Sequence, residues 1–177
     1  KVGKIDPDKK SVVLENGDTL SYDKLLIATG SDGFVPPMDG LDKVSNKFGF
    51  MSFDDAKDIK NIASKDKKVL IIGAGLIGLK CAEGLHGKLK SISVVDLAPH
   101  VLSSILDESS SKIVEKYLIS KDLILYLNNS VASFEKDKAH LKGGEELEFD
   151  ILILAVGVRA NTSLFADIGG KVNRGIL

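Results

Sequence analysis

The sequence is poor in cysteine and histidine, and neither sign of charge is in clear excess. Its single cysteine, Cys81, excludes an internal disulfide and a metal site built from several cysteines, and its three histidines lack metal-ligand spacing. Lys and Arg number 24 against 25 Asp and Glu, a balance that does not favour nucleic-acid binding. No apolar run is long enough for a transmembrane helix, and no secretory signal opens the chain. We therefore expect a cytoplasmic protein that binds neither membrane nor nucleic acid.

The composition is that of an ordinary globular domain. Apolar residues make up 44% and charged residues 28% of the chain, which excludes a disordered protein. A length of 177 residues suits one domain, or one domain with parts of a second. The chain begins at Lys1 rather than Met and ends at Leu177 in the middle of a pattern, so we interpret it as part of a longer protein.

Apolar runs alternate with amphipathic segments, which is typical of α/β proteins. Strands are predicted at residues 25–28, 67–72, 92–96, 123–127 and 151–156. The continuous apolar runs 25–28 and 151–156 are of the buried type, and 67–72 is of the parallel type. Helices are predicted at residues 52–64, 76–86 and 109–120, the last with Ile113, Val114, Tyr117 and Leu118 on one face. Three short β segments between residues 131 and 149 predict a β-meander crossover. The predicted fold is a Rossmann-like parallel sheet with helices on both faces and a β-meander crossover.

A glycine-rich turn joins the strand at 67–72 to the helix that follows it. The turn, Gly73-Ala74-Gly75-Leu76-Ile77-Gly78, has G-x-G-x-x-G spacing. Its first glycine allows the tight turn, its second lets the backbone approach a pyrophosphate, and its third lets the helix pack closely on the sheet. Unpaired N–H groups at the helix start favour a diphosphate. The turn therefore predicts a dinucleotide site rather than a purely structural connection.

Asp96 ends the second strand of this β-α-β segment. An acid about 20 residues after the first glycine binds the adenosine ribose hydroxyls, and it would repel a 2′-phosphate. Residues 97–104, which follow Asp96 directly, include no arginine, and His100 is the one residue among them that could become cationic. We therefore expect NAD(H) rather than NADP(H). S-adenosylmethionine is a competing ligand, which Gly78 and the β-meander crossover disfavour.

Three motifs in fixed order resemble those of the pyridine nucleotide–disulfide oxidoreductase family. They are the segment 22–31 that ends in Ala28-Thr29-Gly30-Ser31, the glycine turn, and the segment 151–162 that contains Ala155-Val156-Gly157. The chain looks most like the branch of NADH oxidases, rubredoxin reductases and assimilatory nitrite reductase flavoproteins. In this family an NAD(P)H domain is inserted into an FAD domain, and both are Rossmann-like.

The resemblance implies domain boundaries and cofactor positions. Residues 46–157 would form the NAD(H)-binding domain. The flanking residues, 1–45 and 158–177, would each be a partial segment of the FAD domain and would contribute strands to it. Gly30 would lie near FAD. NADH would lie around the remaining predicted binding residues, which are Gly73, Ala74, Gly75, Leu76, Ile77, Gly78, Asp96 and Gly157.

The implied function is the NADH-binding part of a flavin-dependent oxidoreductase, which positions the nicotinamide for hydride transfer to FAD. No side chain in the chain needs to be catalytic, and this part alone is expected to be inactive. The electron acceptor stays open among oxygen, rubredoxin, nitrite and a disulfide, and so does a homodimer of the intact protein. The alternative is an NAD-binding redox sensor or interaction module without turnover, although no DNA-binding element is evident.

Lys80 is the main departure from the family pattern. Many members carry glutamate two residues after the third glycine, at the junction of nicotinamide and flavin. A lysine there either argues against a disulfide-reductase mechanism or is simply a solvent-facing helix residue. Cys81 is expected to be a buried core thiol, because the chain has no second cysteine to resolve a disulfide.

Overall fold

The computed structural model describes residues 1–177. Its strands are β1 (Val2–Asp6), β2 (Ser11–Leu14), β3 (Thr19–Ser21), β4 (Ser31–Gly33), β5 (Lys47–Phe48), β6 (Lys68–Ile72), β7 (Ser91–Val95), β8 (Leu123–Tyr126), β9 (Val131–Glu135), β10 (Lys138–Leu141), β11 (Glu146–Glu148), β12 (Ile151–Leu154) and β13 (Val158–Ala160). Its α-helices are α1 (Phe53–Ile62), α2 (Leu76–Leu85), α3 (Glu108–Ile119) and α4 (Ser163–Ala166), and a 3₁₀ helix spans Leu41–Lys43. None of the helices combines the length and hydropathy needed to cross a membrane.

The chain divides into two compact units. The smaller unit comprises Lys1–Asp32 and Val158–Leu177, and the larger unit comprises Gly33–Gly157. The larger unit begins earlier than the predicted residue 46, because Leu41 and Val44 are buried in its core. Which cofactor each unit binds stays a prediction.

A five-stranded parallel sheet forms the centre of the larger unit, in the order β5-β12-β6-β7-β8. Ile72 at the end of β6 lies opposite Val95 of β7 and Leu154 of β12. The three strands therefore end at the same edge of the sheet. The residues that follow them, among them Gly73 and Asp96, are brought together at this edge.

The two faces of the sheet are covered differently. Ile59 of α1 and Leu79 of α2 are buried against one face, where Val114 and Leu118 of α3 are half-buried. The antiparallel sheet β11-β10-β9 covers the other face. Side chains of the two sheets form a second apolar core there, in which Phe134 is buried. The predicted fold class is therefore confirmed with one correction. The β-meander and the 3₁₀ helix take the place of an α-helix on the second face, because they carry the apolar side chains that bury it.

The helix boundaries follow from capping groups, but one predicted helix face is wrong. Ser52 caps α1: its hydroxyl accepts the Asp55 N–H at 3.0 Å, and the Asp55 carboxylate accepts the Ser52 N–H at 2.9 Å. On α3, Ile113 and Tyr117 are 72% and 62% exposed, whereas they were expected beside Val114 and Leu118. The sheet contacts a narrower stripe of α3 than the apolar residues occupy.

The smaller unit contains an antiparallel sheet in the order β1-β2-β3. A hairpin turn at Asn16-Gly17 joins β2 to β3, with Gly17 at a φ of +91°. The predicted strand at residues 25–28 is wrong, since these residues form no strand and Leu26 is 87% exposed. An apolar run forms a strand only where a neighbouring strand accepts its hydrogen bonds, and no strand of this chain pairs with it.

Candidate functional site

The glycine turn is closed by two close backbone approaches. Gly73 has a φ of +112° and donates its N–H to Val95 O at 2.8 Å. A Cβ at Gly73 would overlap Ala155 O, and a Cβ at Gly78 would overlap Gly73 O. These two glycines therefore hold β6, α2 and the end of β12 close together, and side chains are excluded from both positions by the protein's own backbone.

Gly75 lies in a different environment. A Cβ there would meet no atom within 4 Å, and its φ of −78° suits any residue. Gly75 is the N-cap of α2, and no side chain caps the helix. The first bond of the helix runs from Leu79 N–H to Gly75 O at 3.0 Å, and the N–H groups of Leu76 and Ile77 form no hydrogen bond. The turn thus presents free donors and the positive end of a helix dipole to an open space.

Asp96 is hydrogen-bonded to the turn as well as placed beside it. Its carboxylate accepts the Ala74 N–H at 2.5 Å and the Ala98 N–H at 2.7 Å. Each carboxylate oxygen has a second lone pair, so both can still accept a bond from a ribose hydroxyl. Asp96 therefore fixes the distance between the glycine turn and the end of β7. Sequence reasoning assigned it only a contact to the ligand.

The structure brings most predicted site residues to one edge of the sheet. Residues 73–78, Asp96 and Gly157 all belong to the larger unit and follow the ends of β6, β7 and β12. Gly157 has a φ of +111° and open space at its Cβ position. This geometry places open backbone beyond the carboxyl ends of parallel strands, where dinucleotides bind in such sheets.

Gly30 belongs to the smaller unit, where it lies beside Asn161. Its carbonyl accepts the Asn161 N–H at 2.9 Å, and the Asn161 side-chain amide donates to Thr29 O at 3.2 Å. The Thr29 hydroxyl donates to Asn161 O. Gly30 has a φ of +68° and open space at its Cβ position. These bonds therefore join two of the three segments that carry the family resemblance, namely 22–31 and 151–162.

The segment 97–106, which follows Asp96, was missed by sequence reasoning. Leu102 in this segment donates its N–H to Ala74 O at 3.0 Å. The preceding residue, Val101, is fully buried and is held by Ser111 and Glu115 of α3. The sequence signal that could have indicated this contact is Ser111, a polar residue three positions before Val114 on the helix face that packs on the sheet.

Lys80 and Cys81 both lie on α2 but in opposite environments. The Lys80 ammonium lies 2.5 Å from the Glu83 carboxylate, and both side chains are more than 60% exposed. Cys81 is 1% exposed, and burial raises the pKa of its thiol to about 12. The thiol is therefore protonated at neutral pH and unreactive, as expected for a core residue.

Known proteins resemble the whole chain. The family model described as pyridine nucleotide-disulphide oxidoreductase matches residues 1–177. The assimilatory nitrate reductase electron transfer subunit of Bacillus subtilis is 35% identical over 177 residues, which are 98% of this chain and 23% of that protein.

Two similar solved structures are of proteins that are named for NADH or FAD. The water-forming NADH oxidase from Lactobacillus brevis, bound to NADH, is 28% identical with a TM-score of 0.85. The match covers 94% of this chain and 39% of the oxidase chain. An FAD-dependent pyridine nucleotide-disulphide oxidoreductase from Desulfovibrio vulgaris is 27% identical with a TM-score of 0.83. That match covers 98% of this chain and 46% of the other protein's chain. The chain spans less than half of each relative. These matches confirm the family resemblance that the motifs predicted.

Proposed function

The chain belongs to the pyridine nucleotide-disulphide oxidoreductase family, and we propose that its larger unit binds NADH for hydride transfer to a flavin within a longer flavoenzyme. The observation that carries this proposal is the open, uncapped start of α2 beside Asp96. A diphosphate needs hydrogen-bond donors and positive potential, and a ribose needs an acceptor. Both are present at one edge of the parallel sheet.

Each part of the dinucleotide has a residue suited to it. The N–H groups of Leu76 and Ile77 would bind the diphosphate, and the absent side chain of Gly75 leaves room for it. The Asp96 carboxylate would accept the adenosine ribose hydroxyls, and Gly157 leaves the end of β12 open toward the rest of the ligand. NADH itself supplies the hydride, so the protein's contribution is to bind and orient it.

The smaller unit fits only part of an FAD site. Gly30 offers an open backbone position at the bond between the segments 22–31 and 151–162. The chain contains one G-x-G-x-x-G loop, which we assign to NADH, so the smaller unit has no equivalent loop for the FAD diphosphate. We propose that Gly30 contacts FAD in the intact protein and that other parts of that protein complete the flavin site.

The direct test is a comparison of NADH and NADPH binding by calorimetric titration. We expect NADH to bind with a Kd between about 1 µM and 1 mM. NADPH should bind at least about tenfold more weakly, because its 2′-phosphate would face the Asp96 carboxylate. Asp96→Asn removes the charge and should narrow this difference; its one amide oxygen can keep the Ala74 N–H bond but not the Ala98 N–H bond as well. Asp96→Ala should narrow the difference and weaken NADH binding further, because the acceptors of both N–H groups are lost. Tighter binding of NADPH by the unsubstituted chain would contradict the assignment of Asp96.

A second expectation concerns flavin. The purified 177-residue chain should show no flavin absorbance after gel filtration and no steady NADH consumption with added FAD, because bound NADH has no fixed acceptor. A visible spectrum and an NADH oxidation assay measure both. A flavin band that persists through gel filtration would mean that the residues of the smaller unit suffice for FAD binding.

A further inference from the structure

Two side chains of α3 hold a single buried residue by both of its backbone polar groups. The Ser111 hydroxyl donates to Val101 O at 2.7 Å, and the Glu115 carboxylate accepts the Val101 N–H at 3.1 Å. Ser111 and Val101 are both fully buried. Ser111 and Glu115 are four residues apart and so lie on the same helix face. Buried serine is uncommon, and here it has a specific backbone partner.

This clamp, defined as Ser111, Glu115 and the Val101 backbone, is continuous with the glycine turn. Leu102 follows Val101, has a φ of +53°, and donates its N–H to Ala74 O at 3.0 Å. The N–H of Ala74 is in turn bound by Asp96. Hydrogen bonds, together with the peptide bond between Val101 and Leu102, therefore connect α3 to the glycine turn and to Asp96. The glycine turn is the proposed diphosphate site, and Asp96 is the proposed ribose acceptor.

We propose that Ser111 and Glu115 are positioning residues for the dinucleotide site, an inference that rests on the proposed function. A left-handed conformation is unfavourable for leucine, so Leu102 adopts it only while its neighbours hold it there. Without the clamp, the segment 97–106 would populate other conformations in which Ala74 and Asp96 are not held for binding. The apparent affinity for NADH then falls in proportion to the competent fraction.

The ring of His100 reports on the clamp independently of binding. Its Nδ1 lies 3.1 Å from Ser111 Oγ. Since the Ser111 hydroxyl proton is directed at Val101 O, Nδ1 must be the donor in this pair. The neutral ring should therefore carry its proton on Nδ1, which nitrogen NMR of the ring detects. Val101 O lies 3.5 Å from the same nitrogen. Ser111→Ala leaves only this longer contact and should therefore weaken the preference for a proton on Nδ1.

The experiment compares NADH binding by variants of the 177-residue chain at a temperature at which circular dichroism shows all of them folded. Ser111→Ala and Glu115→Ala should each weaken binding about tenfold, the effect of one lost hydrogen bond. Glu115→Gln keeps an acceptor for Val101 N–H and should stay within about twofold of the unsubstituted chain. Ser109→Ala, which removes an exposed hydroxyl from the same helix, is the control and should have no effect.

Each outcome decides the proposal. Unchanged affinity in the folded Glu115→Ala variant would overturn it, and so would a Glu115→Gln variant as weak as Glu115→Ala, because charge rather than the hydrogen bond would then matter. Unchanged affinity and ring tautomer in Ser111→Ala would remove Ser111 from the clamp, whereas unfolding of that variant leaves the decision to the Glu115 pair. If the unsubstituted chain binds no NADH, the proposed function fails first, and this inference fails with it.

Discussion

Gly75→Val is expected to abolish NADH binding while the chain stays folded. The new Cβ would meet no protein atom within 4 Å, and the backbone conformation of Gly75 is one that valine adopts readily. The side chain would instead fill the space before the free N–H groups of α2, where the diphosphate is proposed to bind. We expect the affinity to fall at least about 100-fold, equivalent to about 3 kcal/mol of binding free energy.

Calorimetric titration and thermal unfolding of the same preparation test this expectation. Gly84→Val is the matched control, because Gly84 lies on the same helix and its Cβ position is equally open. That variant should bind NADH normally. If Gly75→Val also binds normally, the diphosphate does not lie on this turn and the proposed site is wrong.

Gly78→Ala is expected to destabilise the fold rather than the ligand complex. A Cβ at Gly78 would overlap Gly73 O and would approach the Ile71 side chain at 3.3 Å. The carbonyl belongs to the closed turn and cannot rotate away, so α2 must move outward from β6. Overpacking of this kind costs about 1–3 kcal/mol, and we expect the upper end because the overlap is with backbone.

Denaturant unfolding measures this cost as a lower midpoint. Gly84→Ala is again the control, since it replaces an unobstructed helical glycine and should stabilise the chain by about 0.5–1 kcal/mol. A Gly78→Ala midpoint equal to that of the unsubstituted chain would show that the turn can widen at no cost. The two glycine substitutions together separate the ligand-facing position of the motif from its packing position.

The local elements of the site were predictable because their causes lie close together in the sequence. The glycine spacing of 73–78, the apolar run before it and the acid at Asp96 specify a strand, a tight turn, a helix and a second strand end. Parallel pairing of β6 and β12 follows from their continuous apolar character, since such strands must be buried on both faces. The order of motifs also sufficed to identify the family.

The incorrect predictions concern segments whose structure depends on a partner elsewhere in the fold. Residues 25–28 have the composition of a buried strand, but no strand of this chain pairs with them. Ile113 and Tyr117 have helical apolar spacing, but the sheet contacts only the neighbouring stripe of α3. Composition states what a segment could bury, and the surrounding elements decide what it does bury.

The sequence by itself determined the parallel sheet, the glycine turn and the acid, because short-range periodicity and spacing encode them, and the order of its three motifs carried the family resemblance. Only the tertiary structure decided that Asp96 also braces Ala74, that the β-meander covers the second face, and that Ser111 and Glu115 hold the Val101 backbone. These contacts join residues that are distant in the sequence. They arise where elements pack together, because buried backbone groups must then find hydrogen-bond partners in whichever element lies nearest.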